Sequence, residues 1–508
     1  MAKFKRYDYS QKVFIPVSLE DQLMPGTLEF AIHTLVENRL DVSVFEDRYN
    51  NDQTGRSAYD PKILLKVILL GYSRGLYSSR SIERACKENI IFMALTCYTC
   101  PDHSTIAAFV SSAKDEIPSL FTNVLLVCEE ENLLGGTFFA LDGCKLPSNA
   151  SMHMSGKISD LAKKKDVLKE KVHRLVEQQI TADLSELKPD DIFNQQKRQR
   201  QIERLQKKAD RIEKWLEENE AKIGRLGREI KSNMTDNESG TMVSSHGTVQ
   251  GYNSQALVDD KHQVIVQAEV FGDGQDYYHV EPLIDGAKAN MKALGHGDDY
   301  FKGTILTADA LYHSSKTLEK CIVEGIDAYI PDKNYRKRDP NLKIKKVYRE
   351  RGIRWLKAKD FVYDEGNDVY KCPRGNTLKH KAKPVKDGVV YHQYVVDAGS
   401  CDGCEMKVRC IKKDGKRKWL NVPVERISPN PIREMMEKID SAHGREIYRQ
   451  RFGIVEPVFG NIRSQKRLNR FTLRGKIKVN IQWLLYCMVH NIEKIMRYGT
   501  AWAGSGYI

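Results

Sequence analysis

Residues 137–142 read TFFALD and residues 304–309 read TILTAD. Each is a short run of β-branched, aliphatic or aromatic residues that ends on an acid. Runs of this length and composition read as buried strands. Each strand is therefore expected to carry a carboxylate at its C-terminal end, Asp142 on the first and Asp309 on the other. Strand signals also fall at Gln255–Val258 and Val264–Val270, and a helical pattern spans about 280–294. A helix over 315–324 and a strand over 328–331 follow Asp309. The order is β-β-β-α-β, and a sheet in which the first and fourth strands are neighbours would set the two carboxylates side by side. Carboxylates that close repel one another unless a cation lies between them. Hard oxygen ligands suit Mg²⁺ or Mn²⁺. The best third carboxylate is Glu456, in YRQRFGIVEPVFGNIRSQKR at 448–467. Three carboxylates can hold two metals that clamp an in-line attack on phosphorus.

The rest of the composition agrees with a partner rich in phosphate. The chain has 508 residues, a net charge of +13 and 41% hydrophobic residues. That is enough apolar material for a sizeable core split over several domains. The apolar runs are too short for a membrane span, which needs about 18 residues. The first residues, MAKFKRYDYSQK, hold no apolar segment, so no secretory leader is expected. A basic chain favours nucleic acid as partner over a membrane surface. Its charge is also clustered: Lys333–Lys359 holds twelve Lys and Arg against two acids, and 461–480 holds seven against none. Both stretches are candidate phosphate tracks.

Residues 1–130 read as short helices, with Asp60-Pro61 as a helix start and Asp102 or Ser104 as another. Such helices suit either a helix-turn-helix reader of DNA or a plain bundle. Between 157 and 231, 35 of 75 residues are charged, and apolar residues from Ile202 to Ile230 step by 3 and 4. Asn219 is the one polar position of that seam. This is a heptad pattern, read here as an antiparallel coiled-coil hairpin, with a parallel zipper between chains as the other option. The stretch 334–430 is basic, with short alternating runs, and reads as an inserted β-rich module. The catalytic core is then assembled from 131–156, 232–333 and 431–508. Pro457, inside the last of these, is expected to bend the helix that carries Glu456 or to start it within about two residues.

Several of these segments together resemble the DDE transposases of bacterial insertion sequences. SAYDPKILLKVILLGYSRGLYSSRSIE and PDHSTIAAF look like that family's helical N-terminal domain, and ALDGCKLPSNAS like its first catalytic Asp segment. LTADALYHSSKTLEK looks like the second Asp segment, and the stretch from Tyr448 to Asn491 like the C-terminal signature with its Glu. The resemblance implies an α/β, RNase H-like mixed sheet and a catalytic triad of Asp142, Asp309 and Glu456 that binds Mg²⁺ or Mn²⁺. It also implies DNA contacts from Tyr448, Arg451, Arg463, Lys466 and Arg467. The related pattern has Lys where this chain has Arg463, and it often has three residues, not four, between the Arg and the Glu. The implied activity is cleavage at transposon ends and strand transfer into target DNA. The implied partners are double-stranded DNA and a second copy of the chain in a synaptic homodimer, in the bacterial cytoplasm near the nucleoid. The alternatives are a catalytically silent DNA binder of the same descent and a nuclease of the same fold.

One more constellation stands apart. Cys372, Cys401, Cys404 and Cys410 fall within 39 residues, with Gly403 easing the turn inside CDGC. One close pair and two outliers of this kind suit a tetrahedral structural zinc site. The other close pair, Cys97 and Cys100, has no second pair nearby and reads as structural. His103 and His313 read as local hydrogen-bonding partners, and Asp236 and Asp276 as capping acids, with a place among the metal-binding carboxylates as the other option.

Overall fold

The strand that opens the sheet runs from Phe138 to Pro147 in a computed structural model. That structure describes residues 18–49, 57–183, 189–225, 227–244, 247–341, 355–386, 389–411, 415–426 and 430–500. The contacts within the chain divide it into two units. One holds 1–307, 324–327 and 450–508, and the other holds 308–323 and 328–449.

In the first unit, Phe138, Phe139, Ala140 and Leu141 are all buried, so both faces of the strand are covered at its start. The strand pairs antiparallel with Gly247–Asp259 over nine residue pairs. That long strand has two neighbours on its other edge. Its first residues pair with Gly240–Ser244 and its later ones with Ile265–Phe271. On the far side of Phe138–Pro147 come Ile305–Ala308 and then Asp327–Tyr329. The first strand thus neighbours the fourth of the main series, as its pattern led us to expect.

Asp142 differs from expectation. It is not at the strand's end but in its middle, opposite Ala256, because pairing with Gly247–Asp259 continues as far as Pro147. Gly251 makes that continuation possible. A Cβ there would lie 2.0 Å from Leu146 O, so only glycine lets the two strands close at this point.

The last helix, Lys476–Tyr498, covers the sheet edge at Ile265–Phe271. Asn491 pairs its amide with both the N–H and the C=O of Ile265, at 2.9 Å each. Asn480 Oδ1 accepts from Val270 N at 3.0 Å. Side chains here satisfy backbone groups that an edge strand would otherwise expose to pairing with other chains. Trp483 Nε1 also donates to Gln255 O at 3.0 Å.

The same helix packs against helices Glu116–Glu130 and Pro61–Ser73, where the Tyr72 and Tyr486 rings stack at 4.6 Å. The N-terminal helices therefore share a core with the sheet. They start where their caps place them: Asp60 Oδ1 accepts from Lys62 N at 2.8 Å, and Asp102 Oδ1 from Ser104 N at 2.8 Å.

Helices Ile158–Asp183 and Pro189–Glu218 lie side by side and run antiparallel. Lys169 reaches Glu213 at 2.6 Å, while Arg198 reaches back to Gln178 O at 3.4 Å. Leu161, Ile212, Met154 and Met234 form the buried cluster at the base. The connection at 184–188 lies outside the described residues. The heptad seam ends sooner than its spacing suggested. The helix stops at Glu218, and Ile223 and Ile230 are exposed on a turn closed by an Ile223–Glu229 bridge. Asn219 is no core position: its amide donates to Trp215 O at 2.9 Å and caps the helix end.

The second unit contains a separate antiparallel sheet, built from Val362–Asp364, Val369–Lys371, Thr377–Ala382, Val385–Lys386, Val389–Val396 and Trp419–Arg426. Its core is Phe361, Leu378, Tyr394, Val396 and Leu420. Helices Ser315–Val323 and Pro431–Asp440 pack together elsewhere in this unit. Of the basic stretch 333–359, residues 342–354 lie outside the described residues.

Helix Ala442–Gly460 runs through Pro457 and passes at Asn461 into a π turn. The expected helix start at Pro457 is therefore absent. Proline has no N–H for the carbonyl of Gly453. Gln263 Nε2 donates to that carbonyl instead, at 2.9 Å, and the helix continues.

Candidate active site and nucleic-acid interface

Alternation along a strand puts Asp142 and Cys144 on one face of Phe138–Pro147, and Gly143 and Lys145 on the other. On the Asp142 face, Arg451 Nη2 lies 2.8 Å from Asp142 Oδ2, and Gly143 N donates to Oδ1 at 2.9 Å. Arg451 is 5% exposed, so this charge pair is largely withdrawn from solvent. Two residues further on, burial pushes the Cys144 thiol up to about 12. The Arg463 cation opposes that rise and Asp142 adds to it, so both charges lie close to the thiol. Arg463 comes from the π turn Asn461–Gln465, and its buried Nε has no hydrogen-bond partner among the described residues.

The opposite face holds a polar network that the sequence did not reveal. Asp276 accepts from Asn253 at 2.6 Å and from Gln255 at 2.9 Å, and Lys145 lies 3.5 Å from it. The Gln255 amide fits there because residue 143 has no side chain, since a Cβ would lie 2.2 Å from Gln255 Nε2. Asp276 therefore belongs to this network and does not cap a helix. Asp236 is likewise buried, accepting from the Tyr252 hydroxyl at 2.9 Å.

Glu456 is exposed on helix Ala442–Gly460, about 140° around the helix from Arg451. Ile454, Val455, Val458 and Ile462 are buried. Asp309 caps the short turn Ala310–Tyr312, accepting from Leu311 N at 2.7 Å. Asp142 and Glu456 belong to the first unit and Asp309 to the second. Among the described residues, no group of three or more His, Cys, Asp or Glu is placed so as to hold a metal ion.

Of the five residues expected to touch DNA, three turn inward. Tyr448 is 7% exposed, and its ring packs edge-on against Tyr335 at 5.4 Å. Arg451 is taken up by Asp142. Lys466 is fully buried, 2.6 Å from Glu493, with its pKa lowered by that burial. Arg467 does face outward. Its alkyl chain lies over Gly75, where a Cβ would come 2.9 Å from Arg467 Cδ. Next to it opens a cleft of about 480 Å³, walled by Tyr77, Asn149, Arg467, Asn469 and Arg470.

The basic loop is bound along the chain that leaves the first strand. Phe471 N donates to Pro147 O at 2.9 Å, Arg470 Nε to Ser148 O at 3.0 Å and Arg474 Nε to Asn149 O at 2.7 Å. Sequence reasoning missed Arg470, Tyr77 and Asn149, although Arg470 falls within the acid-free run. A second groove, of about 1010 Å³, is lined by Lys222, Arg225, Arg228, Lys231 and Lys476. Lys222, Arg225, Arg228 and Lys231 come from the turn that replaces the end of the expected seam.

The two histidines act locally: His103 Nδ1 meets Glu83 at 2.8 Å and His313 Nδ1 meets Ile330 O at 2.8 Å. Cys372, Cys401, Cys404 and Cys410 line one cavity in the second unit.

Residues 371–496 match the family model of a transposase DDE domain, and residues 17–112 that of a transposase domain (DUF772). The first match includes Glu456 but neither Asp142 nor Asp309. No curated protein matches the chain. Among the described residues, no helix is long and apolar enough to cross a membrane.

Proposed function

Taking the chain as a DDE transposase of the insertion-sequence kind, we propose that it cuts DNA at the ends of its element and joins those ends to target DNA. The observation that carries this reading is the position of Asp142. It stands on a central strand of the sheet, and the chain leaving that strand is overlain by a loop rich in arginine. The strand order, in which the third, second, first, fourth and fifth of the main series are successive neighbours, supports an RNase H-like core.

In this reading Asp142, Asp309 and Glu456 hold Mg²⁺ or Mn²⁺. When bound, such an ion would supply Lewis acidity for an attacking oxygen and positive charge beside the scissile phosphate. Arg451 acts as a positioning residue that fixes the Asp142 carboxylate through their 2.8 Å pair. Arg463, close to Cys144 two residues along the strand from Asp142, has a buried Nε with no hydrogen-bond partner among the described residues and is suited to a phosphate oxygen of the substrate. Arg467 and Arg470 take the DNA backbone beyond the reacting bond. Helix Ser79–Glu88, whose Arg80, Arg84 and Lys87 are exposed, extends that basic surface towards a longer duplex. The helical N-terminal region serves as the part that docks the transposon end, and two copies act together in the synapse.

The test is a cleavage and strand-transfer assay on labelled duplexes carrying the element's own ends, in Mg²⁺. The wild-type chain is expected to nick and join them. Asp142→Asn, Asp309→Asn and Glu456→Gln should each abolish both steps while retaining DNA binding. Joining at the normal rate by any of the three would remove that residue from the triad. Nicking without joining would favour a nuclease.

A further inference from the structure

Beyond the site of DNA chemistry, we propose that Cys372, Cys401, Cys404 and Cys410 form a structural four-thiolate site for one Zn²⁺. The four thiols come from two tight turns and a short helix. In the first turn Gly375 N donates to Cys372 O at 2.8 Å, with Gly375 at φ +84°. The second runs from Cys401 to Cys404, with Gly403 at φ +69°. Both have a glycine in the left-handed region, where other residues are strained. The turns are tied together: Asn376 Nδ2 donates to Ser400 O at 3.0 Å. Cys410 ends the short helix Lys407–Cys410, and its carbonyl accepts from Lys418 Nζ at 3.0 Å.

All four cysteines line one small cavity. None of the four is in a disulfide. Cys372, Cys401 and Cys410 all pack against the buried cluster of Phe361, Leu378, Tyr394, Val396 and Leu420. Four thiolates around Zn²⁺ leave two negative charges, and Arg374, Lys407 and Lys418 line the same cavity to offset them.

As placed, the thiols line the walls without a ligand arrangement. Each has three staggered χ1 wells from which to turn inward, towards Zn–S distances of about 2.3 Å. Among the described residues the buried cluster of this sheet is five side chains, and three of the four cysteines pack on it, so a metal there would tie the turns to the core.

The experiment measures zinc in the purified full-length chain, after incubation with zinc in reducing buffer and removal of the excess. The expected result is about one zinc per chain. Cys401→Ser/Cys404→Ser should lose it, while Cys97→Ser/Cys100→Ser and Asp142→Asn should keep it. In the wild-type chain, alkylation of these four thiols should slow in zinc relative to chelator, a readout that needs no variant to fold. Cobalt in place of zinc should give thiolate charge-transfer bands and the visible spectrum of a tetrahedral centre. No bound zinc together with equal alkylation rates in zinc and chelator would overturn the proposal. So would zinc that survives the loss of Cys401 and Cys404, or iron found in its place.

Discussion

The Arg451 guanidinium lies 2.8 Å from the Asp142 carboxylate, although 309 positions separate them in the chain. A residue expected at the DNA surface is instead the partner of the first acid of the proposed triad. Removing one member of a largely buried ion pair leaves the other charge uncompensated. Arg451→Ala is therefore expected to destabilise the protein by about 3 kcal/mol, read by denaturant unfolding. Arg451→Lys should recover part of that stability, since it keeps the charge but not the planar fork. A loss below about 0.5 kcal/mol for Arg451→Ala would show that the pair contributes only as an exposed one does.

Lys466 and Arg470 make opposite predictions although four residues apart in one basic run. Lys466 is buried against Glu493, so Lys466→Ala should cost about 3 kcal/mol of stability. Its effect on DNA affinity should appear only through the folded fraction. Arg470 is exposed at the cleft and holds the loop through one bond to Ser148 O, so Arg470→Ala should cost only about 1 kcal/mol of stability and weaken DNA binding in the folded protein. If Arg470 meets one phosphate, the slope of log K against log salt should fall by about 0.9. An unchanged slope would remove Arg470 from the interface.

Gln263 and Pro457 should be coupled through the carbonyl they share at Gly453. Gln263→Ala removes that carbonyl's donor and should cost about 1 kcal/mol. In a Pro457→Ala background the helix supplies its own N–H at position 457, so the same substitution should cost measurably less. A double-mutant cycle reads the difference, and strict additivity would mean that the Gln263 contact is incidental.

His490 makes stability pH-dependent. It is 1% exposed, its Nε2 donates to Gln263 O at 2.8 Å, and burial lowers its pKa to about 3. The folded state therefore binds fewer protons than the unfolded state between that value and the ordinary histidine range, about 6.5. Stability should fall as pH drops through that window. Thermal melts from pH 7.5 down to pH 5 should show the loss, and His490→Gln should make that part of the profile flatter. Equal slopes in both proteins would assign the acid sensitivity to other groups.

What the sequence determined by itself is local. The starts at Asp60-Pro61 and Asp102 are set by side chains two residues from the amides they cap. The strands at Phe138 and Ile305 and the buried stripe from Ile454 to Ile462 follow from apolar spacing. The four cysteines were likewise legible as a group because they are close in the chain. What only the tertiary structure decided is where each charge points and where each element stops. Lys466, Arg467 and Arg470 are alike in sequence, yet one is sealed against Glu493 and the others face a cleft. The heptad spacing continues to Ile230, but the helix stops at Glu218, where the chain turns and its seam residues become exposed. Pro457 should interrupt a helix, but a glutamine 194 positions earlier supplies the missing donor. In each case the deciding partner is remote in the chain. A periodicity records which residues prefer burial, and it holds no record of which distant group will meet them.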